Sequence, residues 1–407
     1  MQEVRTKPVT AAQRTVPSGR LRMGMVGGGA GAFIGDLHRK SAVLDGEVQL
    51  VCGAFSSDPA KCAQTGRACF LDASRVYPAW LQMIEAEAAL PESDRMELVS
   101  IVTPNDLHTP VASAALKAGF HVICDKPVAR NLAEALKLEQ VVESADGLFA
   151  VTCTYLGYPM VKEARRRVAA GEIGEVRKVY VEFLQGWLSS RIEQTGHKQA
   201  SWRTDPERSG PSGCMADIGT HAETLVTYML GERISSVCAL LARTIEGRPL
   251  DDDGDVLFRT ESGVRGVLSA SQICSGEEND LTIRIYGDGG GLEWRHSDPN
   301  TLWQKASGRP AMRLRAGNDQ EYLSESARMH CRTPAGHPEG YLEAFANIYR
   351  NFARAIEAHR TGQAPDPLLD YPGIEQGVSS LAFVDAVLNS HASGHAWTAI
   401  DNGGASQ

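Results

Sequence analysis

The stretch RMGMVGGGAGAFIGDLH, Arg22 to His38, puts six glycines into seventeen residues directly after a short apolar run. Glycine reaches dihedrals closed to other residues and lets another surface approach the main chain, but it costs folding entropy. A cluster this dense limits the chain to folds in which a strand turns sharply into a helix. Gly27, Gly29 and Ala32 fit a GxGxx[GA] spacing, while Gly31 and Gly35 predict a lengthened turn before a helix that begins near Ile34. In dinucleotide-binding folds such a turn brings a pyrophosphate against N–H groups at a helix N-terminus, where partial positive charge collects. The spacing alone is equally compatible with a plain turn, and what raises the binding reading is its position.

That position is the first strand of an alternating region. The runs LRMGMV, VQLVCGAF, LVSIVT, HVICD and FAVTCT read as strands, with helices such as TPVASAALKAG and NLAEALKLEQVVES between them. Parallel strands joined by helices predict an α/β fold whose doubly wound Rossmann sheet spans residues 21–152, with ligands at the carboxyl ends of the strands. Residues 1–20 lack the apolar core of a secretion signal and read as a flexible arm.

After Pro159 the texture changes. A helix, MVKEARRRVAAGEIG, leads into VRKVYVEFL, ISSVCALLAR, DVLFRTESGVRGVLSASQ and LTIRIYGDGGGLEW, several of which alternate apolar and polar residues between turn signals. The pattern predicts a second, α+β domain over residues 153–398 with a largely antiparallel open sheet, followed by a tail at 399–407. Leu342, Phe345, Ala346, Tyr349, Phe352, Ala353 and Ile356 recur at helical spacing as the stripe of a core-facing helix.

A net charge of −9 speaks against a nucleic-acid partner, because phosphate binding draws on concentrated Lys and Arg. Nine cysteines without a CxxC pair fit neither a disulfide scaffold nor a zinc ribbon, so a reducing cytoplasm is the expected setting. No apolar run approaches the roughly 20 residues of a membrane span.

NAD enzymes place an acid at the end of the second strand to accept the ribose hydroxyls. Here the chain reads GAFSSDPAK, with Ser56 in the acid's place. Ser57 and Lys61 are suited to hold a ribose phosphate, and Asp58 suits NAD if the turn is offset, so NAD and NADP both stay open. Further along, TPNDLH (Thr103 to His108) and CDKP (Asp125 and Lys126) fall at the ends of the third and fourth strands. In GCMADIGTHAETL, Asp217 and His221 stand four apart on one helix face.

With these segments in order, the chain resembles the Gfo/Idh/MocA oxidoreductases, from Leu21 to about Thr398. The marks are GGGAGAFIGDLH, TPNDLH, CDKP, SGCMADIGTH and HPEGYLEAFANIYRNFARAI. The resemblance implies that Lys126 lies near the reacting hydroxyl and the nicotinamide, although Asp125 replaces the family's usual Glu. It implies that Asp217 and His221 supply an acid and a histidine beside the substrate, and that Trp202 and Arg203 contact the cofactor. The chain departs from the family's HNY-like segment, reading CTY at Cys153 to Tyr155.

The expected cofactor set is thus Gly27, Gly29, Gly31, Ala32, Phe33, Ile34, Ser56, Ser57, Lys61, Thr103, Pro104, Asn105, His108, Asp125, Lys126, Trp202 and Arg203. The expected substrate set is Lys126, Tyr155, Tyr158, Lys198, Asp217 and His221; Trp187 and His337 are weaker candidates. Oxidising a secondary alcohol needs a base for the hydroxyl proton while hydride leaves the same carbon. His221 has the titration range for it, Lys126 would stabilise the alkoxide or shuttle the proton, and Asp217 would orient the imidazole and favour its charged form. No Cys or His cluster completes a metal site, and none is expected.

The implied activity is hydride transfer between NAD or NADP and a hydroxyl or keto carbon of a sugar, cyclic polyol or sugar derivative, by a homo-dimer or homo-tetramer. Two alternatives stay open. One is a glycosidase that oxidises a ring hydroxyl only transiently; the other is a non-catalytic dinucleotide-binding regulator.

Overall fold

The computed structural model describes residues 19–401, so most of the expected N-terminal arm and most of the C-terminal tail lie outside the described residues. Five strands and five helices alternate first: β1 (Leu21–Gly27), α1 (Phe33–Val43), β2 (Val48–Ala54), α2 (Pro59–Ala68), α3 (Trp80–Ala88), β3 (Leu98–Val102), α4 (His108–Lys117), β4 (His121–Cys124), α5 (Leu132–Ser144) and β5 (Phe149–Val151). The strands are parallel in the order β2-β1-β3-β4-β5. Every residue of β3 is buried, as expected of a strand with helices on both faces. The order reverses direction at β1, so the loops after β1 and β3 diverge and open a crevice at the strands' carboxyl ends.

The chain continues through α6 (Pro159–Ala169), β6 (Val176–Leu184), α7 (Lys198–Arg203), α8 (Pro206–Ser209), a π-helical turn at Met215–Gly219 and α9 (Thr220–Leu230). Then come β7 (Ile234–Ala242), β8 (Asp253–Thr260), β9 (Arg265–Ser271), β10 (Asp280–Gly287), β11 (Gly290–Arg295), β12 (Thr301–Ala306), β13 (Met312–Arg315), α10 (Glu325–Met329), α11 (Tyr341–Arg360), α12 (Ile374–Ala392) and β14 (Thr398–Ala399). The nine strands form one sheet, antiparallel except for the central β6–β9 pair. Along β8, buried Val256 and Phe258 alternate with exposed Asp255, Leu257 and Arg259, so one face packs on helices and the other meets solvent. Ala399, expected in the tail, pairs with Ser236 of β7. No helix among the described residues is long and apolar enough to cross a membrane.

The late amphipathic stripe does not face the second sheet. Phe345, Ile348, Tyr349 and Phe352 of α11 cluster with Met23, Met25, Leu98 and Ile123 of the first sheet. A doubly wound sheet needs both faces covered, and α11 completes the layer that α1 begins. The core of the first sheet is therefore built from both sides of the expected 152/153 boundary.

This contact buries His38 of α1 completely, with its ring 4.9 Å from that of Phe345 and Nδ1 2.7 Å from the Tyr349 hydroxyl. Burial lowers its pKa to about 4, with Arg39 and His108 adding to the effect against Asp125. In the unfolded chain the ring takes up a proton near pH 6.5; in the folded protein it does so only near 4. The stability it contributes is therefore present above pH 6.5 and is lost as pH falls toward 4. Buried Glu223, raised to about 7 mainly by desolvation, acts in the opposite sense. The comparison that isolates His38 is with His38→Gln. Between pH 7.5 and 5, urea titrations of the wild type should show a loss about 2 kcal/mol larger than those of the variant, and equal losses would refute a neutral buried imidazole.

Candidate active site

The two sheets frame a cleft of about 1050 Å³ whose walls combine the loops after β1 to β5 with one edge of the nine-stranded sheet. The loop after β1 is bare for steric reasons. Gly27, Gly28 and Gly31 have φ of +86°, +71° and +82°, and a Cβ on Gly29 would lie 2.7 Å from the Phe55 carbonyl oxygen. Ala32 caps α1 with no side-chain hydrogen bond, so the helix opens into the cleft with N–H groups unclaimed by a side chain. Backbone that close, at an uncapped helix start, fits a pyrophosphate.

Ser56 and Ser57 line the cleft at the end of β2. Asp58 does not take the ribose acid's place: its Oδ1 accepts from the Ala60 and Lys61 N–H groups and caps α2. Lys61 is half-exposed, 4.0 Å from Asp58, and stands outside the cleft wall. Thr103, Pro104, Asn105, Asp125 and Lys126 line the cleft, as do Phe33 and Ile34. His108 stands behind it, its ring between the carbonyls of Thr103 and Pro127 at 2.8 and 2.6 Å, where it joins the two strand-end loops. Gly31 serves the turn's left-handed backbone and is exposed beside the cleft wall.

Lys126 meets Asp217 across the cleft, Nζ to Oδ1 at 3.0 Å, and also donates to the Asp217 backbone oxygen. The second carboxylate oxygen accepts from Gln272 Nε2 at 2.8 Å and lies 3.3 Å from Arg203 Nε. The carboxylate is thus engaged by Lys126, Gln272 and Arg203 rather than by the imidazole it was expected to orient. Burial alone would raise the Asp217 pKa, but the Lys126 and Arg203 charges hold it far below the usual carboxylate range. His221 shares the cleft, and burial followed by the Lys126 charge pushes its pKa well below the ordinary value, against the pull of Asp217. The expected charged imidazole is therefore corrected to a neutral one. A π-helical turn carries Asp217 and α9 carries His221, which places the two side chains differently from a regular helix face.

Trp202 and Arg203 of α7 also line the cleft, with the guanidinium 4.3 Å from the Trp202 ring centroid. Lys198, Trp187 and Tyr155 also line the cleft. Tyr158 lies behind it, its hydroxyl 3.1 Å from His296 Nε2, and His337 is absent from the wall. Gln185, Gln272, Asn279 and His296, none of them in the expected site, join the lining. Among the described residues no three His, Cys, Asp or Glu side chains converge as a metal site requires.

Comparison with known proteins agrees with this architecture. The family description "Oxidoreductase family, NAD-binding Rossmann fold" matches residues 21–153, and "GFO/IDH/MocA C-terminal domain" matches residues 161–293. An uncharacterized oxidoreductase of Bacillus subtilis (strain 168), YfiI, is 33% identical over 386 residues, covering 93% of this chain and 96% of its own. An inositol dehydrogenase homolog from Azotobacter vinelandii, solved with NAD+, superposes with a TM-score of 0.89 at 35% identity, covering 94% of this chain and 98% of its own. The same homolog was also solved with NADH and myo-inositol. An oxidoreductase from Sinorhizobium meliloti is 43% identical with a TM-score of 0.83, over 93% of this chain and 99% of its own. With its glycine loop, its paired sheets and these full-length matches, the chain belongs to the Gfo/Idh/MocA family of NAD(P)-binding oxidoreductases.

Proposed function

We propose that the protein oxidises a ring hydroxyl of a cyclic polyol or sugar, or reduces the matching ketone, with NAD as its working cofactor. The observation that carries this reading is the convergence of Lys126 with Asp217 and His221, about ninety residues later in the chain, on one cleft with the glycine loop. When bound, the nicotinamide accepts or returns the hydride. Around it, the chain's own groups handle the proton. Lys126, held by Asp217, presents its ammonium to an alkoxide developing on the substrate oxygen. Neutral His221 has a free lone pair with which to take the hydroxyl proton. The Lys126 and Arg203 charges keep Asp217 ionised while Gln272 holds its second oxygen, so the lysine stays anchored throughout.

Supporting NAD, the cleft lining at the end of β2 has the two serines and no cation, since Lys61 is outside that lining and Asp58 is engaged in its helix cap. A 2′-phosphate would meet neither attraction nor a repelling carboxylate. Ser57→Arg should therefore raise the NADP+ to NAD+ ratio of kcat/KM by roughly 10- to 100-fold, and an unchanged ratio would place the ribose elsewhere.

The activity itself is tested by following reduced-nicotinamide absorbance with NAD+ against myo-inositol, levoglucosan, D-xylose and aryl glycosides. Stoichiometric NADH with a ketone product is expected. Aglycone release without net NADH would favour the transient-oxidation glycosidase, and cofactor binding without turnover would favour the regulator.

A further inference from the structure

One edge of the nine-stranded sheet carries a row of polar groups that proton transfer at Lys126 leaves unused. Four neighbouring strands, β11, β10, β6 and β9, end or begin at this edge, and each contributes one side chain to the cleft. They are His296 just past β11, Asn279 just before β10, Gln185 just past β6 and Gln272 just past β9. Three are amides, and burial lowers the pKa of the fourth, His296. The wall is therefore uncharged.

Hydrogen bonds along this wall run in one direction. Trp187 Nε1–H donates to Gln185 Oε1 at 2.9 Å, Gln185 Nε2–H donates to Asn279 Oδ1 at 2.6 Å, and Asn279 Nδ2–H donates to the Tyr155 hydroxyl oxygen at 3.0 Å. The orientation of an amide is usually ambiguous, but an indole N–H can only donate. It therefore fixes Gln185 with its oxygen toward Trp187, which fixes Asn279 in turn, and the Tyr155 oxygen is left as an acceptor. The phenol's own proton has no protein acceptor among the described hydrogen bonds. Tyr155 is 4% exposed, lines the cleft, and stands edge-on to His221 with ring centroids 4.9 Å apart. Burial also raises its pKa, so the phenol keeps its proton.

We propose that the Trp187–Gln185–Asn279 relay sets Tyr155 as a hydrogen-bond donor to one oxygen of the substrate ring, and that Asn279 is the positioning residue deciding which hydroxyl pattern is accepted. The inference rests on the polyol reading above and adds a specificity device to it. A site built to pair with a substrate oxygen discriminates strongly, because mismatch leaves buried polar groups unpaired.

Asn279→Asp tests the relay with almost no change in shape. The introduced carboxylate still accepts from Gln185 but can no longer donate to Tyr155, so the phenol proton turns toward it and away from the ligand. Facing it are Tyr155, the Gln185 amide and neutral His296, with Asp280 adjacent in the chain. Binding of myo-inositol, levoglucosan and D-xylose is measured by calorimetry on the full chain with NADH, which cannot take hydride from them, and the tightest of the three is carried forward. NADH formation is followed separately with NAD+. At pH 8 the Kd of Asn279→Asp should exceed wild type at least about 10-fold. At pH 5 the carboxyl, protonated by burial, donates again and the ratio should return toward 1. Tyr155→Phe should lose as much at both pH values, and the double variant should lose no more. A wild-type Kd for Asn279→Asp at pH 8, a loss that pH 5 does not reverse, or failure of all three polyols to bind would overturn the relay. Polyol binding that follows this pattern without NADH formation would leave the relay standing and refute the proposed reaction instead.

Discussion

Lys126→Met should fold, bind NAD+ within a few-fold of wild type, and lose at least about 10³-fold in kcat on whichever polyol the wild type turns over. Methionine keeps the length and apolar stem of lysine, so the mostly buried position stays filled. Asp217 is not stranded as an unpaired buried charge, because Gln272 still donates to Oδ2 and Arg203 remains 3.3 Å away. What disappears is the ammonium that the Asp217 carboxylate and backbone oxygen aim into the cleft. Without it, charge developing on the substrate oxygen loses the cation paired with Asp217, and neutral His221 does not replace it. The effect should therefore fall on kcat, with KM moving little, since a group acting on the developing alkoxide contributes more to the transition state than to the ground state. Stopped-flow absorbance of NADH formation at saturating substrate reads the step directly. A loss below 10-fold would remove Lys126 from the chemistry, and an equal loss in cofactor affinity would assign it a binding role instead.

Much of this arrangement was legible locally. β6 runs from Val176 to Leu184, the bounds that its apolar alternation gives, and the five strands of the first sheet start where their apolar runs start. Strand periodicity and glycine clustering are properties of neighbours in the chain, so sequence carries them. Long-range placement is different. The stripe on α11 announces a buried face, yet nothing in its spacing says that the face covers Met23 and Met25, some three hundred residues earlier, rather than the adjacent sheet. Asp58 looked available for a ribose, but the Asp-Pro dipeptide at a helix start is itself a capping signal, and the cap claims the carboxylate. Gln185, Gln272, Asn279 and His296 stayed invisible because their meeting depends on the strand order β11-β10-β6-β9. Asp217 lost its expected partner for a related reason: the imidazole four residues away is a local neighbour, whereas Lys126, Gln272 and Arg203 arrive from three other segments.

Gly35→Ala should weaken NAD+ binding at least about 100-fold and cost roughly 2–3 kcal/mol of stability, although the same change in an exposed helix interior normally stabilises by up to about 1 kcal/mol. The sign reverses because of what the methyl would meet. A Cβ on Gly35 would lie 2.2 Å from the Gly28 Cα and 2.6 Å from its carbonyl oxygen, both main chain, with no flexible side chain to yield. Gly28 holds φ +71°, and its carbonyl also accepts from Arg39, so it is anchored from both sides. Relief therefore requires α1 to move away from the turn. That motion carries the first N–H groups of α1, from Phe33 onward, out of the crevice, and an anion site made of backbone depends on distance more than on side-chain identity. Gly46→Ala supplies the control: its φ is +74°, but nothing lies within 4 Å of its Cβ position, so it should show only the backbone cost of about 1 kcal/mol and unchanged cofactor affinity. Calorimetric titration with NAD+ beside urea denaturation of both variants separates the two effects. Equal behaviour would mean that conformational freedom alone explains the glycines, whereas a selective loss at Gly35 would tie their density to the close approach of helix and turn on which the cofactor cradle is built.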